Sequence, residues 1–125
     1  MTILIADDNQ ALCDTLQISL AKEGHAVHTA ADGNVAMKLA ETCDADILLT
    51  DIIMPEREGL ETILSFRRRF PKMKIIAMSG HVLTKDCDET HLLKMAKVLG
   101  AHATIAKPFT ISELLGLIQQ VRQAS

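Results

Sequence analysis

Apolar residues fall into five short runs, separated by longer segments in which they recur every three or four positions. The runs predict strands near 2 to 6, 26 to 30, 46 to 50, 74 to 78 and 103 to 106, each followed by a helix. The first helix carries Leu12, Leu16 and Leu20 and closes before Gly24. The third carries Leu60, Ile63 and Leu64 and stops before Pro71. Leu92, Met95, Ala96 and Leu99 supply the stripe of a fourth, ending at Gly100. The last is the clearest: Thr110 and Glu113 form a capping box, and Ile111, Leu114, Leu115, Ile118 and Val121 line one face.

Five consecutive βα units imply an α/β fold, a doubly wound parallel sheet with right-handed crossovers and helices on both faces. Ile3 to Ala6 and Ile47 to Thr50 are nearly all apolar, as strands buried on both faces are. The mixed run His25-Ala26-Val27-His28-Thr29 suits an edge. No internal repeat or low-complexity segment interrupts the pattern, so one domain is expected over residues 1–125.

Composition narrows the function classes. The chain has 125 residues, a net charge of −3 and only three aromatics (Phe66, Phe70 and Phe109), which offers neither a global attraction to phosphate backbones nor a stacking platform for single strands. Nucleic acid is not an expected direct partner. With no signal-peptide pattern and no apolar run of membrane-spanning length, a cytoplasmic protein is expected. Cys13, Cys43 and Cys87 are odd in number and lack a CxxC pair, so neither a disulfide framework nor a structural zinc site is indicated. His25 and His28 do not form a metal pair on a strand, because three-residue spacing points them to opposite faces. The cations Arg67, Arg68, Arg69, Lys72 and Lys74 cluster at the end of the third helix, where they suit the macrodipole.

The chemistry lies where the apolar runs stop. Asp7 and Asp8 follow Ile3-Leu4-Ile5-Ala6, Asp51 follows Ile47-Leu48-Leu49-Thr50, Ser79 follows Ile75-Ile76-Ala77-Met78, and Lys107 follows Thr104-Ile105-Ala106. Neighbouring parallel strands open their carboxyl ends on one edge, where α/β sheets bind ligands. Adjacent carboxylates there disfavour joint ionisation unless a cation compensates, and an oxygen-only donor set suits Mg²⁺. The simpler alternative for the pair is capping, with Asp8 as N-cap of a helix starting near Gln10. Asp51 sits before Met54-Pro55 and Gly59, in a loop constrained by Pro and Gly. A carboxylate there can act as a nucleophile towards phosphorus; an ordinary turn aspartate is the alternative.

The set Ile3 to Asp8 (ILIADD), Asp51 to Gly59 (DIIMPEREG), Ser79-Gly80 and Lys107-Pro108-Phe109 (KPF) resembles the receiver domain of two-component response regulators, over the whole chain. The resemblance implies a flavodoxin-like (βα)5 fold with strand order 2-1-3-4-5, an order for which the chemotaxis regulator is a standing example. It implies that Asp51 accepts a phosphoryl group from a sensor histidine kinase or phosphotransfer protein within a phosphorelay. Asp8, Asp51 and the carbonyl of Ile53 would ligate Mg²⁺, with Asp7 acting through water. Ser79 would hydrogen-bond the phosphoryl group, Lys107 would pair with it, and the Lys107-Pro108 peptide is a candidate for cis.

The chain departs from the family pattern at Thr104, where receivers usually place the aromatic that couples the hydroxyl residue to the output face. It also departs in the 28-residue spacing from Ser79 to Lys107, and at Arg57-Glu58. Apolar Ile53 is expected to slow hydrolysis of the acyl phosphate. The expectation is a switch, monomeric or weakly dimeric, that catalyses only its own phosphorylation and dephosphorylation, with no output domain in this chain. The alternatives are a phosphorylation-independent receiver-like interaction module and, further off, a phosphoaspartate-forming phosphatase. The latter normally needs a second Asp where this chain has Ile53.

Overall fold

The computed structural model describes residues 1–52, 59–79, 97 and 100–123. The strands are β1 (Thr2–Ala6), β2 (Ala26–Ala30), β3 (Ile47–Asp51), β4 (Lys74–Ser79) and β5 (Ala103–Ala106). They form one parallel sheet in the order β2-β1-β3-β4-β5. Four helices are described: α1 (Gln10–Lys22), α2 (Gly33–Cys43), α3 (Gly59–Arg69) and α4 (Ile111–Gln123). The helix expected through Leu92 and Leu99 lies outside the described residues.

Period-two alternation on the buried strands sends side chains to two separate cores. On one face Leu4, Ala6, Leu48, Ile52, Ile75 and Ala77 pack under Ala36 and Ala40 of α2 and Ile63 and Phe66 of α3. On the other, Ile3, Ile5, Ile47, Leu49, Ile76 and Met78 pack under Cys13, Leu16 and Leu20 of α1 and Leu114, Ile118 and Val121 of α4. A fully buried aliphatic side chain contributes about 1.5–3 kcal/mol. Three of them on one stripe therefore hold α4 to the sheet while its opposite face stays in water.

Local signals set the ends. The N-cap of α1 is Asn9, whose side chain accepts from the Leu12 amide at 3.1 Å. This corrects the capping alternative for Asp8 and leaves that carboxylate free of the role. Asp32 caps α2 in the same way. At α4 the Thr110 hydroxyl accepts from the Glu113 amide at 3.1 Å and donates to the Glu113 carboxylate, so the box closes on the hydroxyl. β3 and β4 also run one residue further than their apolar runs. Asp51 is in register with Met78, and the Ile52 amide donates to the Met78 carbonyl at 2.9 Å. Asp51 and Ser79 are thus the last rungs of β3 and β4 rather than loop residues.

β5 is tied to its neighbour at both ends. The Lys107 amide donates to the Ser79 carbonyl at 2.8 Å, and the His102 amide to the Ile75 carbonyl at 2.7 Å. The His102 ring returns the contact, with Nδ1 accepting from the Ile75 amide at 3.0 Å. Just before β5, Gly100 has φ +130°, and a Cβ built there would lie 2.7 Å from Cγ of Arg67. Only glycine combines that backbone with so close an approach.

Candidate functional site

The carboxyl ends of β1, β3, β4 and β5 bring Asp7, Asp8, Asp51, Ser79 and Lys107 to one edge of the sheet. One carboxylate oxygen from each of Asp7, Asp8 and Asp51 lies within 4.8 Å of the others. Their surroundings differ: Asp7 is 1% exposed, Asp51 is 7% exposed, and Asp8 stands in solvent. The cluster therefore has two buried members and one facing the entrance.

Lys107 is the counter-ion. Its Nζ lies 2.5 Å from Oδ2 of Asp7 and 3.3 Å from Oδ2 of Asp51. Burial acts to lower the lysine pKa, but the hydrogen bond to Asp7 and the charge of Asp51 outweigh it and hold the ammonium above its ordinary range. The shorter contact goes to Asp7 and the longer to Asp51. Reaching Asp7 carries the ammonium across the ends of β3 and β4. The peptide from Lys107 to Pro108 is cis, as the resemblance implies.

Two neighbours unassigned from the sequence hold Asp7. The Asn9 amide donates to Oδ1 of Asp7 at 2.9 Å, an Asx-type turn that leaves Oδ2 for the lysine. The Cys13 thiol donates to the Asp7 carbonyl at 3.4 Å. Burial, reinforced by the charge of Asp7, pushes that thiol up to about 11, so it stays protonated and serves as a donor. The Asp-x-Asn spacing was the legible signal for the first contact. The second depends on how α1 packs.

Ser79 is buried, 3% exposed, at the end of β4. Thr104 stands on β5 in register with Ala77 and lines a shallow groove of about 320 Å³ with Ile105, Ser112, Glu113, Gly116, Leu117 and Gln120. It takes no part in the carboxylate cluster. Ile53, the residues to Glu58, and His81 lie outside the described residues, so the expected carbonyl ligand is not part of this geometry.

The donor chemistry fits a divalent cation. Among the described residues, three carboxylates against one ammonium leave an excess of negative charge, the donors they offer are hard oxygens, and the exposed Asp8 provides the approach. A strand-edge pocket with a nucleophilic carboxylate and a compensating lysine can accept an electrophilic phosphoryl group.

Solved structures of similar shape are receiver domains. The receiver domain of NtrX from Brucella abortus superposes with a TM-score of 0.88 at 24% identity, covering 98% of this chain and 99% of that one. The chemotaxis protein CheY4 of Vibrio cholerae gives 0.83 at 27% identity, covering 96% and 97%. A receiver domain protein of Methanospirillum hungatei gives 0.85 at 29%, covering 95% and 90%. The family model for the response regulator receiver domain matches residues 3–119. With the flavodoxin-like sheet, its strand-end site and that match in place, the chain belongs to the response regulator receiver family of two-component signalling.

Proposed function

We propose that this chain is a phosphorylation-controlled switch that takes a phosphoryl group onto Asp51 from the phosphohistidine of a sensor kinase or phosphotransfer protein. The observation that supports the reading is the convergence of Asp7, Asp8, Asp51 and Lys107 on one sheet edge. An Asp51 carboxylate oxygen attacks phosphorus, the new O–P bond forms, and the N–P bond of the donor breaks with imidazole as leaving group. Asp8 and Asp51 would ligate Mg²⁺, with Asp7 acting through water and the Ile53 carbonyl completing the set. Bound Mg²⁺ supplies positive charge that offsets the carboxylates and the incoming phosphoryl oxygens.

Lys107 bridges Asp7 and Asp51 in the unmodified state. Once Asp51 is converted to its acyl phosphate the carboxylate charge is replaced by that of the phosphoryl group, and the ammonium can pair with a phosphoryl oxygen while keeping Asp7. Ser79, one rung from Asp51 on the adjacent strand, offers its hydroxyl to the same group and transmits the change along β4. The chain catalyses only its own phosphorylation and dephosphorylation, works in the cytoplasm as a monomer or weak dimer, and acts on a protein partner. Thr104, in place of an aromatic, supports a second reading in which the module binds partners without phosphate.

One experiment separates these readings. Wild type and Asp51→Asn are incubated with Mg²⁺ and acetyl phosphate, or with beryllium fluoride, while backbone amide shifts are followed. Mg²⁺-dependent changes near Ser79 that vanish in Asp51→Asn support the switch. An unresponsive wild type leaves the phosphate-independent module, and turnover of unrelated phosphate esters points to a phosphatase.

A further inference from the structure

One buried polar group next to the site has no role in the chemistry above. Thr50 is fully buried on the face that carries Leu48 and Ile52, and its register partners on either side are Ala6 and Ala77. Packing alone asks nothing of a hydroxyl there: valine has the same branched shape and suits a strand interior as well. A hydroxyl in such surroundings is costly unless it is hydrogen-bonded. Its Oγ1 lies 3.0 Å from the carbonyl oxygen of Asp51 and donates to it.

That carbonyl belongs to the peptide following Asp51, and the N–H of the same peptide, on Ile52, donates to the Met78 carbonyl at 2.9 Å. The peptide is therefore held at both polar ends. The preceding backbone is held by the β1–β3 and β3–β4 ladders, with Thr50 paired to Ala6 and Ala77. With the planes on either side of its Cα set, the Asp51 Cα–Cβ direction is set as well, and the carboxylate is aimed at the strand edge.

We infer that Thr50 is a positioning residue for phosphoryl transfer, its hydroxyl fixing the Asp51–Ile52 peptide so that the Asp51 carboxylate is presented to the incoming phosphorus. The inference rests on the reading of Asp51 as acceptor. The hydroxyl touches neither donor nor phosphoryl group and acts through the backbone alone. Nucleophile placement matters steeply, since a displacement of about 1 Å can cost on the order of a hundredfold in rate. Loss of one hydrogen bond to the peptide shifts the carboxylate by less, so a loss of about five- to tenfold is expected.

The test compares wild type with Thr50→Val, Thr50→Ala and Thr50→Ser. Phosphorylation rate constants are measured with Mg²⁺ and acetyl phosphate up to saturation, normalised to the folded fraction from urea unfolding of each protein. The expected result is a five- to tenfold lower saturating rate in both Thr50→Val and Thr50→Ala, with Thr50→Ser within about twofold of wild type. If Thr50→Val does not fold, Thr50→Ala against Thr50→Ser carries the comparison. A hydroxyl-free variant that phosphorylates at the wild-type rate, whatever its stability, overturns the inference, and so does a Thr50→Ser as slow as the others. A wild type that is not phosphorylated refutes the acceptor reading itself, a separate outcome.

Discussion

Replacing Lys107 with methionine tests whether the cluster is held by charge compensation. Methionine keeps much of the length and apolar stem of the lysine, so what is lost is the ammonium. At an effective dielectric of about 20, unit charges at the observed 2.5 and 3.3 Å attract by roughly 7 and 5 kcal/mol before desolvation. Desolvation of the ammonium and of Asp7 offsets most of this, and the lysine side chain is 19% exposed, which admits water and weakens the pair further. Removing one partner of a buried pair costs about 3–5 kcal/mol, and discounting for that exposure leaves about 2–4 kcal/mol for Lys107→Met without Mg²⁺. With a urea m-value of about 1–3 kcal/mol/M, the midpoint should fall by roughly 1–2 M. The decisive assay is a double-mutant cycle with Asp7→Asn, because removing both charges also removes the uncompensated carboxylate. The double variant should regain most of the loss, with a coupling of about 2 kcal/mol. Additive effects within about 0.5 kcal/mol, or an unchanged midpoint in Lys107→Met, would refute charge compensation as what holds the edge together.

Three further outcomes are expected. Gly100→Ala forces a side chain onto φ +130° and against Arg67, so urea unfolding should show a loss of about 1–3 kcal/mol, of which Arg67→Ala in the same chain recovers only the smaller, steric part. His102 is pushed below its ordinary pKa by burial and by Lys74 and Arg67, and its Nδ1 must be unprotonated to accept from Ile75. Its contribution is therefore complete above the unfolded value of about 6.5 and is lost as pH falls through the folded value, so His102→Asn should flatten the stability decline between about pH 7 and pH 5. His25, lowered mainly by burial, adds a slope of the same sign that this variant leaves in place. Asn9→Ala removes the cap bond to Leu12 and should cost about 1 kcal/mol in thermal or urea unfolding.

The sheet was legible because its signal is coarse and repeated: four of the five strands are apolar runs cut off by a polar residue, and the mixed fifth falls at an edge, where one side needs no neighbour. The strand ends were legible for the same reason, since Asp7, Asp51, Ser79 and Lys107 are the residues that end those runs. Pairings within the site were not. Whether Lys107 leans on Asp7 or Asp51 depends on sheet twist and on the Asn9 amide occupying Oδ1 of Asp7, neither of which is written in spacing. Asp8 and Asn9 are both good caps by type, and only the φ and ψ of the turn choose between them. The return of His102 to Ile75, 27 residues earlier, and the fit of Gly100 against Arg67 are contacts between distant segments with no local pattern to announce them.

The contact between Asp7 and Lys107 joins residues one hundred positions apart. During synthesis the first strand leaves the ribosome with its acidic pair long before the lysine that balances it has been made. Until β5 docks at the far edge, Asp7 and Asp51 lack the ammonium that pairs with them in the folded chain. Docking of β5 then brings the balancing charge and the rung to Ser79 together, so this edge of the sheet is completed only once the chain has been made past Lys107. A fragment stopping before Lys107 would keep Asp7 and Asp51 but lack the ammonium that lies between them in the folded chain.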